Sequence, residues 1–235
     1  MNNRSPKVDT HIPYKKQVRH AICAYRPWNY DAYAFKQNCD MQLFSDKDTL
    51  LADLEEFDPV WVFFLDWSWI VPKEILNKYK CVCFHEADLP NFRGGSPIQN
   101  QIIHGRTKTK LTAFLMDDGV DTGDILLQED LSLEGHISDI MERVVKITPK
   151  MIDKILKGDY KRIKQGDGTV FSRRKPEESQ LYTEDFSKTL EYLYNFIRML
   201  EEPYPNSFYY VGERKFTFKS AEMKDGKIET LVEIE

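Results

Sequence analysis

Two residues of this chain have the types needed for proton transfer, and neither is required to build a core. His85 follows an apolar run at 81–84, and Asp121 lies in a glycine-flanked turn. An imidazole titrates near neutrality, so it can take up and release a proton during a reaction, and a nearby carboxylate can orient the ring. The pair therefore indicates a general acid–base site.

Alternating strands and helices upstream of the histidine predict the sheet that must position it. Short apolar strands at 19–25, 60–65 and 81–84 are separated by two helical patterns, one starting at Ser45 and one after Pro72. The run at 60–65 is continuously apolar, as in strands buried on both faces of a parallel sheet. This order predicts an α/β fold with a doubly wound, Rossmann-like sheet, whose ligands lie beyond the carboxyl ends of the strands.

The rest of the chain divides into the end of this domain and a small extension. Further strands are expected at 110–116 and 125–127, followed by a long amphipathic helix. After a polar connection, the tail combines one more helical stripe with β-rich pieces separated by glycine turns. We therefore predict a catalytic domain at 1–165 and a C-terminal extension of a helix and a β-hairpin at 166–235.

The motifs around the two residues resemble those of the folate-dependent formyltransferases, the family of methionyl-tRNA, glycinamide-ribonucleotide and sugar N-formyltransferases. In that family a strand carries Asn-x-His, Ser-Leu-Leu-Pro and Arg-Gly-x-x-Pro-Ile motifs follow, and an aspartate lies 36 residues after the histidine. This chain has His-Glu-Ala-Asp-Leu-Pro from His85, Arg-Gly-Gly-Ser-Pro-Ile from Arg93, and an aspartate 36 residues after His85, at Asp121. The resemblance extends over about 59–133.

The resemblance implies roles for individual residues. His85 and Asp121 would be catalytic, and 10-formyltetrahydrofolate would be the formyl donor. Folate contacts would come from Trp67, Trp69, Ile70, Val71, Asp117 and Gly119. Substrate contacts would come from Arg93, Gly94, Gly95 and Ser96.

Some of these residues also have a purely structural interpretation. Trp67 and Trp69 could stack on a flat pterin ring or could fill the core. The Arg-Gly-Gly loop from Arg93 could bring backbone amides close to an anion, or it could form a tight turn before Pro97. Both interpretations of each feature stay open at this stage.

One position departs from the family motif. The family asparagine that hydrogen-bonds the formyl oxygen corresponds to Cys83, and a thiol is a much weaker donor than an amide. Ser96, Gln99 or Asn100 could supply the missing donor, or His85 and backbone amides could stabilise the oxyanion without it. Cys83 is therefore counted with the catalytic positions, and loss of activity is a further alternative.

Cys81, Cys83 and His85 alternate along one strand and so share a face. Such a set could hold a metal ion or form a Cys–His nucleophile pair. A fourth ligand is missing and successive same-face positions splay apart, so buried, inert thiols and no metal site are expected.

Within the family, the motif wording and the tail most closely resemble the sugar N-formyltransferase branch, in particular the type found in pseudaminic-acid pathways. That resemblance implies transfer of the formyl group to the primary amine of a nucleotide-linked aminodeoxy sugar, with a UDP-linked sugar as the expected substrate, by a homodimer. Two alternatives are a hydrolase that releases formate from the folate and a catalytically silent folate- or nucleotide-binding module.

The bulk composition is that of an ordinary cytoplasmic globular protein. Hydrophobic residues make up 41% and charged residues 30% of the 235 positions. The net charge of −5 argues against a nucleic-acid partner, because affinity for nucleic acid comes largely from neutralising phosphates. No apolar run reaches the ~18 residues of a membrane span, and the N-terminus lacks the apolar stretch of a signal peptide. Four cysteines suggest no disulfide framework and favour a reducing compartment.

Overall fold

The computed structural model describes residues 18–29 and 40–235, so residues 1–17 and 30–39 of the predicted catalytic domain lie outside the described residues. The described strands are β1 (His20–Cys23), β2 (Met41–Phe44), β3 (Trp61–Leu65), β4 (Lys80–His85), β5 (Arg93–Gly94), β6 (Lys108–Leu115), β7 (Ile125–Ser132), β8 (Val170–Phe171), β9 (Ser207–Val211), β10 (Arg214–Lys224) and β11 (Lys227–Ile234). The α-helices are α1 (Leu50–Phe57), α2 (Lys73–Lys78), α3 (Pro97–Ile103), α4 (Ile137–Lys157) and α5 (Leu190–Arg198).

The main sheet has the strand order β2-β1-β3-β4-β6-β7. The first four strands run parallel, whereas β6 and β7 run antiparallel to their neighbours. The connection 116–124, which contains Asp121, joins β6 to β7. The predicted α/β, Rossmann-like fold class is confirmed.

Helices cover both faces of the sheet because β3 is apolar on both. Phe63 faces one cluster with residues of α4, including Met151 and Ile152. Phe64 faces the opposite cluster with α1 and α2, including Leu54. All five residues of β3 are buried, as the continuous apolar run predicts.

Helix α1 is shorter than its sequence pattern suggests. The prediction began it at Ser45, whereas the structure begins it at Leu50. The residues between form a turn in which Asp48 donates its backbone N–H to the Asp46 carboxylate at 2.8 Å. An aspartate that binds backbone in this way favours a turn over a helix.

The C-terminal part forms an antiparallel sheet of three strands, in the order β11-β10-β9, packed against α5. One buried cluster joins this part to the rest of the molecule, since it combines Ile98 of α3, Ile140 of α4 and Phe196 of α5. A hydrophobic core thus spans the proposed boundary between 165 and 166. The division into two domains stays a prediction.

Strand register decides which side chains meet at the carboxyl edge of the main sheet. Cys23 of β1 pairs with Phe64 of β3, and Leu65 of β3 pairs with Phe84 of β4. The carboxyl ends of these three strands therefore lie side by side. His85 is the last residue of β4 and lies at this edge.

Candidate active site

His85 is held at this edge with 6% of its surface exposed. Its Nε2 lies 2.8 Å from the carbonyl oxygen of Phe92, and its Nδ1 lies 3.7 Å from Oδ2 of Asp121. A carbonyl oxygen only accepts hydrogen bonds, so Nε2 carries a proton. Nδ1 is then the ring nitrogen that can exchange a proton, and it faces the carboxylate.

Asp121 reaches His85 from the turn between β6 and β7. Its backbone is left-handed, with φ of 52°, a conformation that aspartate tolerates better than most residues. Oδ2 accepts the backbone N–H of Gly94 at 2.8 Å, and the Asp121 carbonyl accepts Nε2 of Gln165 at 3.0 Å. The Asp121 carboxylate is therefore held by Gly94, and the Asp121 backbone is held by Gln165 from a distant part of the chain.

The loop that begins at Arg93 is held by the segment that contains β8. The Arg93 guanidinium donates to Oε1 of Gln165 at 2.8 and 3.1 Å and to the Gly166 carbonyl at 3.0 Å, and only 9% of Arg93 is exposed. Gly94 has φ of +94°, and a Cβ there would lie 2.1 Å from the Phe171 carbonyl oxygen. Only glycine allows this approach, which places the Gly94 N–H on Asp121.

The predicted substrate-binding residues thus make contacts within the protein. Arg93 is engaged by its neighbours, Gly95 packs against the backbone of Arg173, and the Ser96 hydroxyl accepts the Arg174 N–H at 3.1 Å. These contacts bear out a structural use of the loop. Its role in holding a substrate stays a prediction.

Cys83 packs against a small buried cluster of Leu89, Phe114 and Ile125. Among the residues described, its thiol has one hydrogen-bond contact, to the Phe84 carbonyl oxygen at 3.8 Å. Burial raises the pKa of the Cys83 thiol well above its usual value, and the negative charges of Asp121, Glu86 and Asp66 raise it further. The group is therefore a neutral thiol and a poor nucleophile.

Three polar side chains are candidates for replacing the family asparagine as a hydrogen-bond donor. Asn100 already donates its amide to the Gly95 carbonyl at 2.9 Å. The Ser96 hydroxyl accepts the Arg174 N–H at 3.1 Å and keeps its own hydrogen for donation. Gln99 is 3% exposed, and its Nε2 makes no hydrogen bond of ordinary geometry in the described part of the protein.

The residues expected to contact folate form an aromatic rim beyond β3. Trp69 is 37% exposed and lies 4.4 Å from the ring of Tyr25, while Trp67 packs edge-on against Phe64 at 5.8 Å. Ile70 is almost fully exposed. Stacking on a pterin ring and packing in the core are both compatible with this position of Trp67.

The other expected folate residues are buried or held within a turn. Val71 lies in the core under α2. The Asp117 carboxylate accepts the Gly119 N–H at 3.0 Å and the Thr122 hydroxyl at 2.7 Å. A Cβ on Gly119 would lie 2.0 Å from the Thr122 hydroxyl oxygen, so this turn requires glycine. Their contacts with folate stay predictions.

Asp66 and Glu86 lie beside His85 and are not among the site residues that the sequence predicts. Asp66 follows β3 directly, and its carboxylate lies 3.8 Å from Nε of Arg26, which follows β1. Burial raises the pKa of Asp66 to about 6, against the opposing effect of Arg26 and Arg173. Burial raises the pKa of Glu86 to about 8, and the charge of Asp66 adds to the shift. The sequence feature that could have identified these two residues is their position directly after predicted strands.

No cluster of three or more His, Cys, Asp or Glu side chains suited to a metal ion occurs in residues 18–29 and 40–235. Cys23, Cys81 and Cys83 are free thiols. None of the helices in these ranges is both long enough and apolar enough to cross a bilayer.

Comparison with known proteins identifies the family. Residues 31–156 match the profile of the formyl transferase family, and 176–235 match that of the methionyl-tRNA formyltransferase C-terminal domain. The methionyl-tRNA formyltransferase of Clostridium beijerinckii is 30% identical over 231 residues, which cover 94% of this chain and 70% of that protein. The structure of a methionyl-tRNA formyltransferase from Clostridium thermocellum has a TM-score of 0.87 and 40% identity, and the match covers 93% of this chain and 99% of that one.

These matches correct the predicted branch. A likely sugar N-formyltransferase from Mycobacterium tuberculosis has a TM-score of 0.70 but 18% identity, which shows the shared fold alone. The prediction of a nucleotide-sugar enzyme is wrong, because the tail that suggested it matches the methionyl-tRNA formyltransferase C-terminal domain. The prediction of a hydrolase or a silent binding module is wrong as well, since the matching relatives are formyltransferases.

The prediction that excluded a nucleic-acid partner is also wrong, since the matching relatives are named for methionyl-tRNA. The error came from using the charge of the whole chain. Acidic residues are concentrated at 46–58, with six Asp or Glu and one Lys, whereas 158–175 has six Lys or Arg and two Asp. Net charge therefore conceals a basic segment. The predicted homodimer stays a prediction.

The motifs around His85 and Asp121, the fold and the share of the chain that these matches cover all support one conclusion. This chain belongs to the formyl transferase family and is a folate-dependent N-formyltransferase whose formyl donor is 10-formyltetrahydrofolate.

Proposed function

We propose that this enzyme formylates the α-amino group of methionyl-tRNA. The observation that carries the proposal is the similarity to the Clostridium thermocellum methionyl-tRNA formyltransferase, at 40% identity over 99% of that chain. The match of 176–235 to the C-terminal domain of such enzymes supports it.

In this proposal His85 and Asp121 carry out the proton transfers. When bound, 10-formyltetrahydrofolate supplies an electrophilic formyl carbon. His85 receives a proton at Nδ1 from the attacking amine and returns it to the leaving nitrogen, while the Phe92 carbonyl holds Nε2. Asp121 stabilises the protonated ring through its charge at 3.7 Å. The Gly94 N–H keeps that carboxylate in place.

The residues around this pair fit a bulky, partly flat donor. Tyr25 and Trp69 form an exposed aromatic surface beside the carboxyl ends of β1 and β3. The Tyr25 hydroxyl and Ser68 share a hydrogen bond of 2.8 Å that fixes this rim. Aromatic faces of this kind suit stacking on a pterin ring. Gln99, buried with a free Nε2, would donate to the formyl oxygen in place of the family asparagine.

A basic segment at 158–175 would contact the tRNA. The segment borders the catalytic pair, because Phe171 of β8 pairs with Gly94, whose N–H holds Asp121. Lys161, Lys164 and Lys175 are exposed and form no ion pair within the described ranges. Unpaired exposed cations can neutralise phosphates and release their counterions.

The experiment is a formylation assay with purified protein, 10-formyltetrahydrofolate and methionyl-tRNA. The expected product is N-formylmethionine, released by mild alkali and identified by mass spectrometry. Free methionine and uncharged tRNA are the matched acceptor controls, and neither is expected to react. If methionyl-tRNA stays unmodified while the protein binds tetrahydrofolate, the proposed acceptor is incorrect.

The location of the reaction belongs to the same proposal. Cys23, Cys81 and Cys83 are free thiols in this structure. Free thiols persist in a reducing compartment, so we propose the cytoplasm as the site of the reaction. Detection of the protein in the cytoplasmic fraction of its native cells would support this location, and recovery from another fraction would contradict it.

A further inference from the structure

The side chain of Gln165 joins two loops that reach the catalytic pair from distant parts of the chain. Its Oε1 accepts Nε and Nη2 of Arg93, at 3.1 and 2.8 Å. Its Nε2 donates to the carbonyl oxygens of Asp121 and Gly123, at 3.0 and 2.7 Å. One carboxamide thus bridges the loop that begins at Arg93 and the turn that carries Asp121.

The chemistry of these four contacts requires an amide at this position. A guanidinium only donates hydrogen bonds and a carbonyl oxygen only accepts them, so the amide oxygen must face Arg93 and the amide nitrogen must face the turn. Both hydrogens of Nε2 and both lone pairs of Oε1 are then used. A carboxylate could keep the contact with Arg93, but it would place an oxygen against two carbonyl oxygens.

Gln165 is turned inwards from an otherwise exposed segment. Among residues 161–170 it is the one half-buried residue, and all the others are exposed. The apolar side chain of Ile163 in the same segment is 57% exposed. If this segment served to extend the core, the isoleucine would be buried and the glutamine would be exposed. The orientation of Gln165 therefore depends on its hydrogen bonds and not on apolar packing.

The backbone on both sides of Gln165 is fixed. Ile163 exchanges two backbone hydrogen bonds with Ile125 of β7, at 2.8 and 2.9 Å. The Thr169 carbonyl oxygen accepts the N–H of Arg93 in β5 at 2.9 Å. These bonds hold Gln165 between β7 and β5, so its carboxamide links the two strands from a fixed position.

The place of the Asp121 carboxylate depends on this link. Among the described residues, the Gly94 N–H is the one hydrogen-bond donor to that carboxylate, at 2.8 Å from Oδ2. Gly94 belongs to β5 and Asp121 to the turn before β7, so the bond exists only while the two backbones keep their separation. Gln165 spans both backbones, because it contacts Arg93, next to Gly94, and Asp121 itself. The same separation determines the 3.7 Å between Oδ2 and Nδ1 of His85.

We propose that Gln165 is a positioning residue, which sets the distance between the Asp121 carboxylate and the His85 ring by holding the Asp121 turn against β5. This inference rests on the proposed function, because it assumes that these two residues carry out the proton transfers. The attraction between a carboxylate and a protonated imidazole falls with distance, so a displaced carboxylate stabilises the transition state less. Gln165 acts through Asp121 and exchanges no proton itself.

The first test follows the Gly94 amide by hydrogen exchange, measured by NMR on ¹⁵N-labelled wild type and Gln165→Met. Methionine keeps an unbranched side chain and removes both polar groups. We expect the Gly94 N–H to exchange about 10-fold faster or more in the variant, because the carboxylate that protects it is released. The Gly95 N–H, bonded to the Phe171 carbonyl oxygen at 3.0 Å, is the internal reference and should keep its rate. An unchanged Gly94 rate, or equal acceleration at both amides, overturns the proposal.

Gln128→Met is the matched control for this measurement. Gln128 is also half-buried, and its Nε2 makes hydrogen bonds of 3.0, 3.1 and 3.2 Å with Thr112 and with two groups at 88–89. The change should lower the free energy of unfolding, as Gln165→Met does, and should leave the exchange of Gly94 at the wild-type rate. Equal acceleration of Gly94 in both variants would reflect a general loss of stability and would contradict the proposal.

The second test measures whether Gln165 acts through Asp121. Single-turnover formylation at saturating methionyl-tRNA gives the rate for wild type, Gln165→Met, Asp121→Asn and the double variant. We expect Gln165→Met to lower this rate by about 10-fold to 10²-fold in wild type. The loss should be less than about 3-fold where Asp121→Asn has already removed the charge. An equal loss in both backgrounds would indicate a merely structural role and would overturn the proposal.

Gln165→Glu is a second variant, which keeps the bonds from Arg93. Its carboxylate cannot donate to the carbonyl oxygens of Asp121 and Gly123, so the same faster exchange of the Gly94 N–H is expected. Exchange at the wild-type rate in this variant overturns the proposal. The exchange measurements need no acceptor. Faster exchange in the variants, together with no formylation of methionyl-tRNA by wild type, would support the role of Gln165 and refute only the choice of acceptor.

Discussion

Asp121 and Glu86 are carboxyl groups at the same edge of one sheet, but their surroundings are opposite. The Asp121 carboxylate accepts the Gly94 N–H at 2.8 Å and faces the His85 ring at 3.7 Å. Glu86 is half-buried, and desolvation together with the charges of Asp66 and Asp121 raises its pKa to about 8. When the surroundings of neighbouring carboxyls differ in this way, one can orient and stabilise while the other exchanges a proton. We assign the orienting role to Asp121, because its carboxylate faces the His85 ring.

The largest loss of activity is expected for Asp121→Asn, which removes the charge of the Asp121 carboxylate. The amide oxygen can still accept the Gly94 N–H, but the charge that stabilises a protonated His85 is lost. We expect kcat/KM to fall by about 10³-fold or more while tetrahydrofolate binding is kept. Steady-state formylation and calorimetry of folate binding measure the two quantities. Asp225→Asn, at an exposed turn with the same left-handed backbone, is the control, and a similar loss there would contradict the assignment.

A smaller loss of activity is expected when the Gly94 N–H, which donates to the Asp121 carboxylate, is displaced. Gly94→Ala places a Cβ 2.1 Å from the Phe171 carbonyl oxygen, so β5 must shift. We expect about 2 kcal/mol of destabilisation from the strained backbone and about 10²-fold lower kcat/KM from the misplaced carboxylate. Denaturant unfolding and kinetics measure both.

Gly226→Ala, in the turn between β10 and β11, is the matched control for this variant. Gly226 also has a positive φ, +72°, but no atom lies within 4 Å of its added Cβ. It should therefore lose about 1 kcal/mol of stability and no activity. Equal kinetic losses in the two variants would show that the Gly94 contact is unimportant.

Asp66→Asn should change the surroundings of Glu86 and leave those of Asp121 as they are. Removing the neighbouring negative charge lowers the pKa of Glu86 below its value of about 8. The Glu86 carboxyl carbon should then titrate at lower pH, as followed by ¹³C NMR. A shift to higher pH, or none, would mean that the charge of Asp66 does not reach Glu86.

The smallest expected effect concerns stability. The pKa of Glu86 is higher in the folded protein than in the unfolded chain, so its ionisation destabilises the fold as the pH rises from the ordinary value near 4.5 to about 8. Glu86→Gln removes this cost. Its free energy of unfolding should exceed that of wild type by about 1 kcal/mol or more at pH 9 and should be close to wild type at pH 4. Denaturant unfolding at the two pH values checks the sign.

The sequence predicted the parts of the site whose positions depend on local pattern. The continuous apolar run of β3 predicted burial on both faces, and His85 was correctly placed at the end of the next parallel strand. The 36-residue spacing between His85 and Asp121 predicted a pair that the structure brings to 3.7 Å. These features could be predicted because they depend only on strand periodicity and on one motif that recurs in the family.

Long-range contacts could not be predicted in the same way. Arg93 is held by Gln165, which is 72 residues away, and nothing in the local pattern of either indicates the other. Glu86 is adjacent to His85 in sequence, but its environment depends on the register that places Asp66 beside it. The acceptor was mispredicted because the tail was assigned to the sugar branch, whereas 176–235 match the methionyl-tRNA formyltransferase C-terminal domain.

The most direct test is single-turnover formylation of methionyl-tRNA by wild type and by His85→Asn, with tetrahydrofolate binding measured on the same preparations. We predict N-formylmethionine with wild type, a loss of about 10³-fold or more with the variant, and equal folate affinity for both. Undiminished transfer by His85→Asn, or no transfer by a wild-type protein that binds tetrahydrofolate, would contradict the assignment of this site to methionyl-tRNA formylation.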